Sequence, residues 1–155
     1  MGFMEQIKKR ASKKNCLIVL PESYDERVAA AAVMIEEQGI ARILLLSDNG
    51  KEIPGREKLK RPGIEILDYK NSPELEEMAG ELYELRKKKG MTREKASALL
   101  QDPLYYGAML VRRGKVDGMV AGACHSTGDT LRPALQIVKT APGTKTVSAF
   151  FLMVV

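Results

Sequence analysis

Residues 122–132 read GACHSTGDTLR, the densest gathering in the chain of groups able to hold an anion. Ser126, Thr127 and Thr130 offer hydroxyl donors, and Arg132 offers a planar cation that can grip a phosphate through two parallel hydrogen bonds. The stretch follows a short apolar run, DGMVAG at 117–122, and leads into the helical pattern TLRPALQIVK. It therefore sits beyond the carboxyl end of an expected strand and at the amino end of an expected helix. Ligands bind open parallel sheets there, and backbone N–H groups and the helix dipole favour negative charge. The same residues also fit a plainer description. A Ser/Thr/Asp cluster caps a helix, Arg132 is then an exposed helix residue, and Pro133 a first-turn proline. Two nucleotide signatures fail: five residues, not four, separate Gly122 from Gly128, with Asp129 next instead of Lys, and G-x-G-x-x-G is absent. Cys124 follows small residues and reads as a packed side chain, with no adjacent base to make it a nucleophile. General-base catalysis by the neighbouring His125 is the less favoured reading.

Short apolar runs alternate with helical patterns along the chain, and this rhythm sets the fold class. CLIVL at 16–20, RILLLS at 42–47, IEIL at 64–67 and DGMVAG at 117–122 read as buried strands. A helix is expected from about Asp25 to Gln38, with Val28, Ala32 and Ile35 on one face and Gly39 ending it. The charged, Gly- and Pro-containing segment after Ser47 is a surface connection with room for a short helix. Ser72 as cap and Pro73 at the first position start a second helix, with Leu75, Met78, Ala79, Leu82 and Leu85 as its apolar stripe. Arg86 to Lys89 lie at its negative end and Gly90 stops it. Thr92 and Asp102 cap two more helices, the last ending near Arg113. Phe3, Ile7 and Ala11 recur every four residues, which predicts an amphipathic first helix. Strand and helix alternating in this way mean an α/β domain, a parallel sheet with helices on both faces.

Composition narrows the function. The net charge is +5, but the basic residues are mixed with glutamates, and five Tyr and three Phe are not interleaved with the basic runs. That disfavours nucleic acid and favours a small anionic partner. No apolar run approaches the roughly 18 residues of a membrane span, and the basic amino terminus lacks the apolar core of a secretory signal. Cys16 and Cys124 read as reduced thiols of a cytoplasmic protein, and a single histidine leaves too few ligands for a zinc site. A last strand is expected from about Val147. The run AFFLMVV reaches Val155 with no turn or polar tail, as expected of a chain cut short, and should be an exposed edge that self-associates.

The stretch DPLYYGAMLVRRGKVDGMVAGACHSTGDTLRPALQIVKT, residues 102–140, resembles phosphate acetyltransferases and phosphate butyryltransferases. Its S-T-x-D-T-L-R-P-A-L-Q-I-V-K-T run is highly specific to them. LPESYDER at 20–27 and YELRKKKG at 83–90 are similar to the family's opening and mid-domain segments, while 47–70 add little. Gly128 stands where Ala or Ser is more usual, which loosens the start of the helix without removing a donor. The resemblance favours the acetyl over the butyryl enzyme. It implies reversible acetyl transfer between coenzyme A and inorganic phosphate, with coenzyme A as a substrate, no cofactor, and no metal.

The resemblance further implies a three-layer fold of the isocitrate/isopropylmalate dehydrogenase type and a two-domain, homo-oligomeric enzyme with its active site in the cleft. Residues 1–146 then form an incomplete amino-terminal domain, and 147–155 a strand leading towards the second. Arg132 matches a family arginine implicated in catalysis, and Arg86 one implicated in substrate binding, alongside Ser126, Thr127 and Thr130. For Arg86, a charge stabilising a helix end is the plainer reading. The family's carboxyl-terminal Ser-Arg and Asp, which polarise the thioester and deprotonate the thiol, have no counterpart here, so the chain alone is expected to be inactive. A non-catalytic regulatory module of the same fold is the alternative from another class. An NAD-linked decarboxylating dehydrogenase lacks its metal-binding carboxylates.

Overall fold

The computed structural model describes residues 2–48, 51–148 and 153. Four strands form one sheet, in the order β3-β2-β1-β4 and with every pairing parallel. They are β1 (Leu17–Leu20), β2 (Arg42–Ser47), β3 (Ile64–Asp68) and β4 (Gly118–Met119). The helices are α1 (Phe3–Lys14), α2 (Glu26–Glu37), α3 (Leu75–Arg86), α4 (Arg93–Leu99), α5 (Pro103–Arg112) and α6 (Thr127–Pro133).

Side chains on a strand alternate between faces, so β2 serves two cores at once. Ile43 and Leu45 pack with Ala29 and Ala32 of α2 and with Ile53 and Leu59. Leu44 and Leu46 pack on the other face with Met78 and Leu82 of α3, Ala96 of α4 and Met109 of α5. Helices cover both faces, as the strand–helix rhythm requires. Asp25 caps α2 by accepting from the Arg27 N–H at 2.8 Å, Thr92 caps α4 and Asp102 caps α5. Gly39 and Gly90 follow their helices with φ of 59° and 79°, the left-handed region where a side chain is strained.

Several sequence expectations need correction. β4 is two residues, not the six of 117–122. Val120 still donates to the Val19 carbonyl at 3.1 Å, but Gly122, at φ 108°, then turns the chain into the loop that meets Glu22. Helix α3 starts at Leu75. The Ser72 hydroxyl accepts from the Glu74 N–H at 3.3 Å, so Ser72 and Pro73 make a turn before the helix instead of its cap and first position. Pro133 ends α6 and is no first-turn residue. With no N–H of its own it breaks the regular ladder, and Ala134–Val138 continue as one wide π turn, closed by the Lys139 N–H on the Ala134 carbonyl at 2.9 Å. Helix α1 forms where expected, yet Phe3, Met4 and Ile7 on it are exposed. The expected last strand falls mainly on 149–152, 154 and 155, outside the described residues, and Val147 and Ser148 are not in a strand.

Leu45 lies at the centre of the sheet and has no exposed surface. Leu45→Ala should lower the unfolding free energy by about 2–5 kcal/mol through lost burial and the cavity left behind, read from the urea midpoint.

Candidate functional site

The loops after β1 and after β4 leave neighbouring strands at the same end of the sheet, and one carboxylate joins them. Glu22, 1% exposed, accepts from the backbone N–H groups of Gly122 at 2.7 Å, Ala123 at 2.8 Å and Cys124 at 2.8 Å. Its Oε1 also faces His125 Nδ1 at 2.7 Å, and since a carboxylate only accepts, Nδ1 carries the proton. Burial pushes the Glu22 pKa up, but the His125 contact and the three N–H donors outweigh it and hold the group below its ordinary value.

Asp25 and Arg27 complete the grip. The Arg27 guanidinium binds both Asp25 oxygens, at 3.0 and 2.7 Å, and donates to the Ala123 carbonyl at 2.8 Å. Arg27 beside it holds the Asp25 carboxyl well below the usual range. The Cys124 thiol donates to Asp25 at 3.0 Å, and that bond, with burial, pushes its pKa up. Cys124 is exposed, not packed as the sequence suggested. Its thiol is held as a donor to Asp25.

The expected anion cradle is therefore already used in part by the protein itself: the N–H groups at 122–124 hold Glu22. Ser126 caps α6, accepting from the Asp129 N–H at 3.2 Å and donating to its carboxylate at 2.7 Å. Thr130 donates to the Ser126 carbonyl at 3.0 Å, and Thr127 is exposed in the first turn. On its other side His125 lines a polar cavity of about 300 Å³ with Tyr24, Lys51, Lys70 and Asp102.

The two arginines lie on other elements, at the end of α3 and in α6. Arg86, at the end of α3, is half-buried, and its Nε is buried with no hydrogen-bond partner among the described residues. Arg132 is exposed, its Nη1 3.4 Å from Asp129. Burial pushes the Tyr105 phenol pKa up, and the charges of Arg132 and Arg86 offset this only in part. Tyr105 is 6% exposed and its hydroxyl lies 3.4 Å from Gln136 Oε1 on the π turn, which Arg112 holds by donating to the Ile137 carbonyl at 2.9 Å. Sequence reasoning missed Glu22 as the loop's anchor, and it missed Tyr105. The signal for the first was a carboxylate directly after a strand, but nothing in the sequence says that β1 and β4 are neighbours.

Glu22→Gln keeps the shape but puts an NH₂ against N–H donors, and should cost about 1–3 kcal/mol of stability or more. Because the folded-state pKa is depressed, the wild-type advantage is full above the ordinary value near 4.5 and is lost as pH falls through the lower folded-state value. Urea unfolding of both proteins across that range measures it.

With this geometry in place, similarity to known proteins can be weighed. Residues 2–155 match the model of the family described as "Phosphate acetyl/butaryl transferase". A phosphate acetyltransferase of Acetivibrio thermocellus is 56% identical over 156 residues, which cover 100% of this chain and 47% of that protein. One from Clostridium acetobutylicum is 44% identical, again over 100% of this chain and 47% of its own length. Among solved structures, a phosphotransacetylase from Staphylococcus aureus superposes with a TM-score of 0.79 at 41% identity, covering 92% of this chain and 44% of the other. The chain thus spans about half the length of the relatives it matches. Identity at this level over the whole chain, with the same fold, leaves one conclusion: the chain belongs to the phosphate acetyl/butaryl transferase family.

Proposed function

We propose that this chain serves as the amino-terminal half of an acetyltransferase that moves an acetyl group between coenzyme A and inorganic phosphate. One observation carries the reading: Arg86 has a buried Nε–H with no hydrogen-bond partner among the described residues. Buried donors are almost always satisfied, so such a group is suited to an acceptor brought by a ligand. In the forward direction a phosphate oxygen bonds to the thioester carbonyl carbon, the C–S bond breaks, and the sulfur leaves as the thiol with the proton that phosphate gives up. Two polyanions must approach for this, and fixed guanidiniums lower the cost by neutralising charge where the bond forms. Arg132 is the catalytic arginine in this scheme. Arg86 binds phosphate, and Ser126, Thr127 and Thr130 position the loop beside it.

The oxyanion donor and the thiol base are assigned to the Ser-Arg and Asp that the resemblance places in the other half of the family. The isolated chain should therefore release no thiol from acetyl-coenzyme A and phosphate. Joined to the carboxyl-terminal portion of the Acetivibrio enzyme it should turn over, and Arg132→Gln in that chimaera should lower kcat/KM by about 100-fold or more. A loss below about threefold, against that expectation, overturns the assignment of Arg132.

A further inference from the structure

The carboxyl ends of the strands carry a second polar site, and neither Arg86 nor Arg132 lines it. Strand β1 has β2 and β3 on one side and β4 on the other, so the direction of winding reverses between β1 and β4. Open parallel sheets bind ligands outside the carboxyl ends of their strands at such a point. The polar cavity of about 300 Å³ lies there. Tyr24 enters its wall from the loop after β1, Lys51 from the segment after β2, Lys70 from just beyond β3, and His125 from the loop after β4. All four strands thus lead into one space.

The lining is set before any ligand arrives. Glu22 holds His125 through Nδ1 at 2.7 Å, which fixes the ring's orientation. The Lys51 ammonium stands over the Tyr24 ring, 4.2 Å from its centroid, and has no ion pair among the described residues. Attraction to a ring face positions the ammonium without pairing it to a carboxylate, so its N–H donors remain for an oxygen ligand. Lys70 Nζ lies 2.8 Å from Asp48 Oδ2, a contact that takes one of its three donors. The two carboxylates of the lining are already compensated. Lys70 offsets Asp48, while Asp102 accepts from the Leu104 N–H at 2.8 Å at the positive end of α5. Lys51 therefore leaves the cavity with one uncompensated positive charge.

We propose that this cavity binds the phosphate group of a small molecule, with Lys51 and Lys70 as its ammonium donors. A tetrahedral oxyanion can accept from both ammonium groups and keep an oxygen for the rest of the wall, whereas a carboxylate has only two oxygens in one plane. The phosphate group has two sources, the free ion and a small ester. The site lies beyond the acetyl-transfer reading and does not depend on it, because its residues are none of those assigned to that reaction.

His125 is the single histidine of the chain, so its imidazole signals report on this cavity alone. Inorganic phosphate, glycerol phosphate and acetate are titrated separately into the 155-residue chain at constant pH and ionic strength, with the His125 ring followed by proton NMR. The same titrations are run on Lys51→Gln, Lys89→Gln and Arg132→Gln, and thermal melting checks that each is folded. The expected result is a saturable His125 shift with phosphate or its ester and none with acetate. Lys51→Gln, a change at an exposed side chain, should melt as wild type and bind about tenfold more weakly, as for a lost hydrogen bond to a charged group. Lys89→Gln and Arg132→Gln should stay within about twofold of wild type. Tighter binding of glycerol phosphate identifies an ester as the ligand and tighter binding of inorganic phosphate the free ion, and either upholds the site. No saturable shift with either phosphate, acetate binding as tightly as phosphate, or Lys51→Gln within about twofold of wild type overturns it. Loss of the shift in Arg132→Gln with Lys51→Gln intact also overturns it, and leaves the arginine reading standing.

Discussion

A buried carboxylate accepting four hydrogen bonds fixes how the two halves of the sheet's carboxyl edge meet. Glu22 enters from β1, and the three N–H donors and His125 come from the loop after β4. An ionised side chain removed from water costs several kcal/mol unless its acceptor positions are filled, and here they are. The loop in turn has three successive N–H groups facing one way, an arrangement that needs an anion. Each side supplies what the other lacks. β4 itself contributes little regular pairing, and its other end is tied by the Leu17 N–H on the Asp117 carboxylate at 2.7 Å. Side-chain carboxylates at both ends therefore replace what a longer strand would have supplied through its ladder.

The same interaction constrains the chemistry. A loop whose first amides are satisfied internally is a scaffold, and those amides are not open to a further acceptor. Helix α5 is buried in the core. Every residue from Leu104 to Leu110 is buried, so its position is set by packing on both the sheet and α3. The π turn follows Pro133, with Ile137 in the core and Gln136 beside the Tyr105 hydroxyl.

Within the described residues, much of this molecule was legible as sequence. The apolar runs at β1, β2 and β3, the caps Thr92 and Asp102, and the glycines after α2 and α3 are local signals. Each depends on neighbours within a few positions, so the α/β class and most helix limits follow from them. Ser72 misled because a hydroxyl before a proline suits a turn as well as a helix cap, and only the packing of Leu75 and Met78 decided where α3 begins. DGMVAG read as a full strand because periodicity does not reveal whether a strand has one neighbour or two.

What no local signal could provide was the partnership between residues a hundred positions apart. The sequence by itself determined that a loop rich in donors follows β4 and that Arg86 stands at a helix end. Only the strand order β3-β2-β1-β4 decided that Glu22 would fill that loop, and only the tertiary packing left the Arg86 Nε buried without a partner among the described residues. The reason is physical: local propensities depend on covalent geometry within a turn or two, whereas a buried charge and its donors are matched only when the hydrophobic cores have fixed which elements lie side by side.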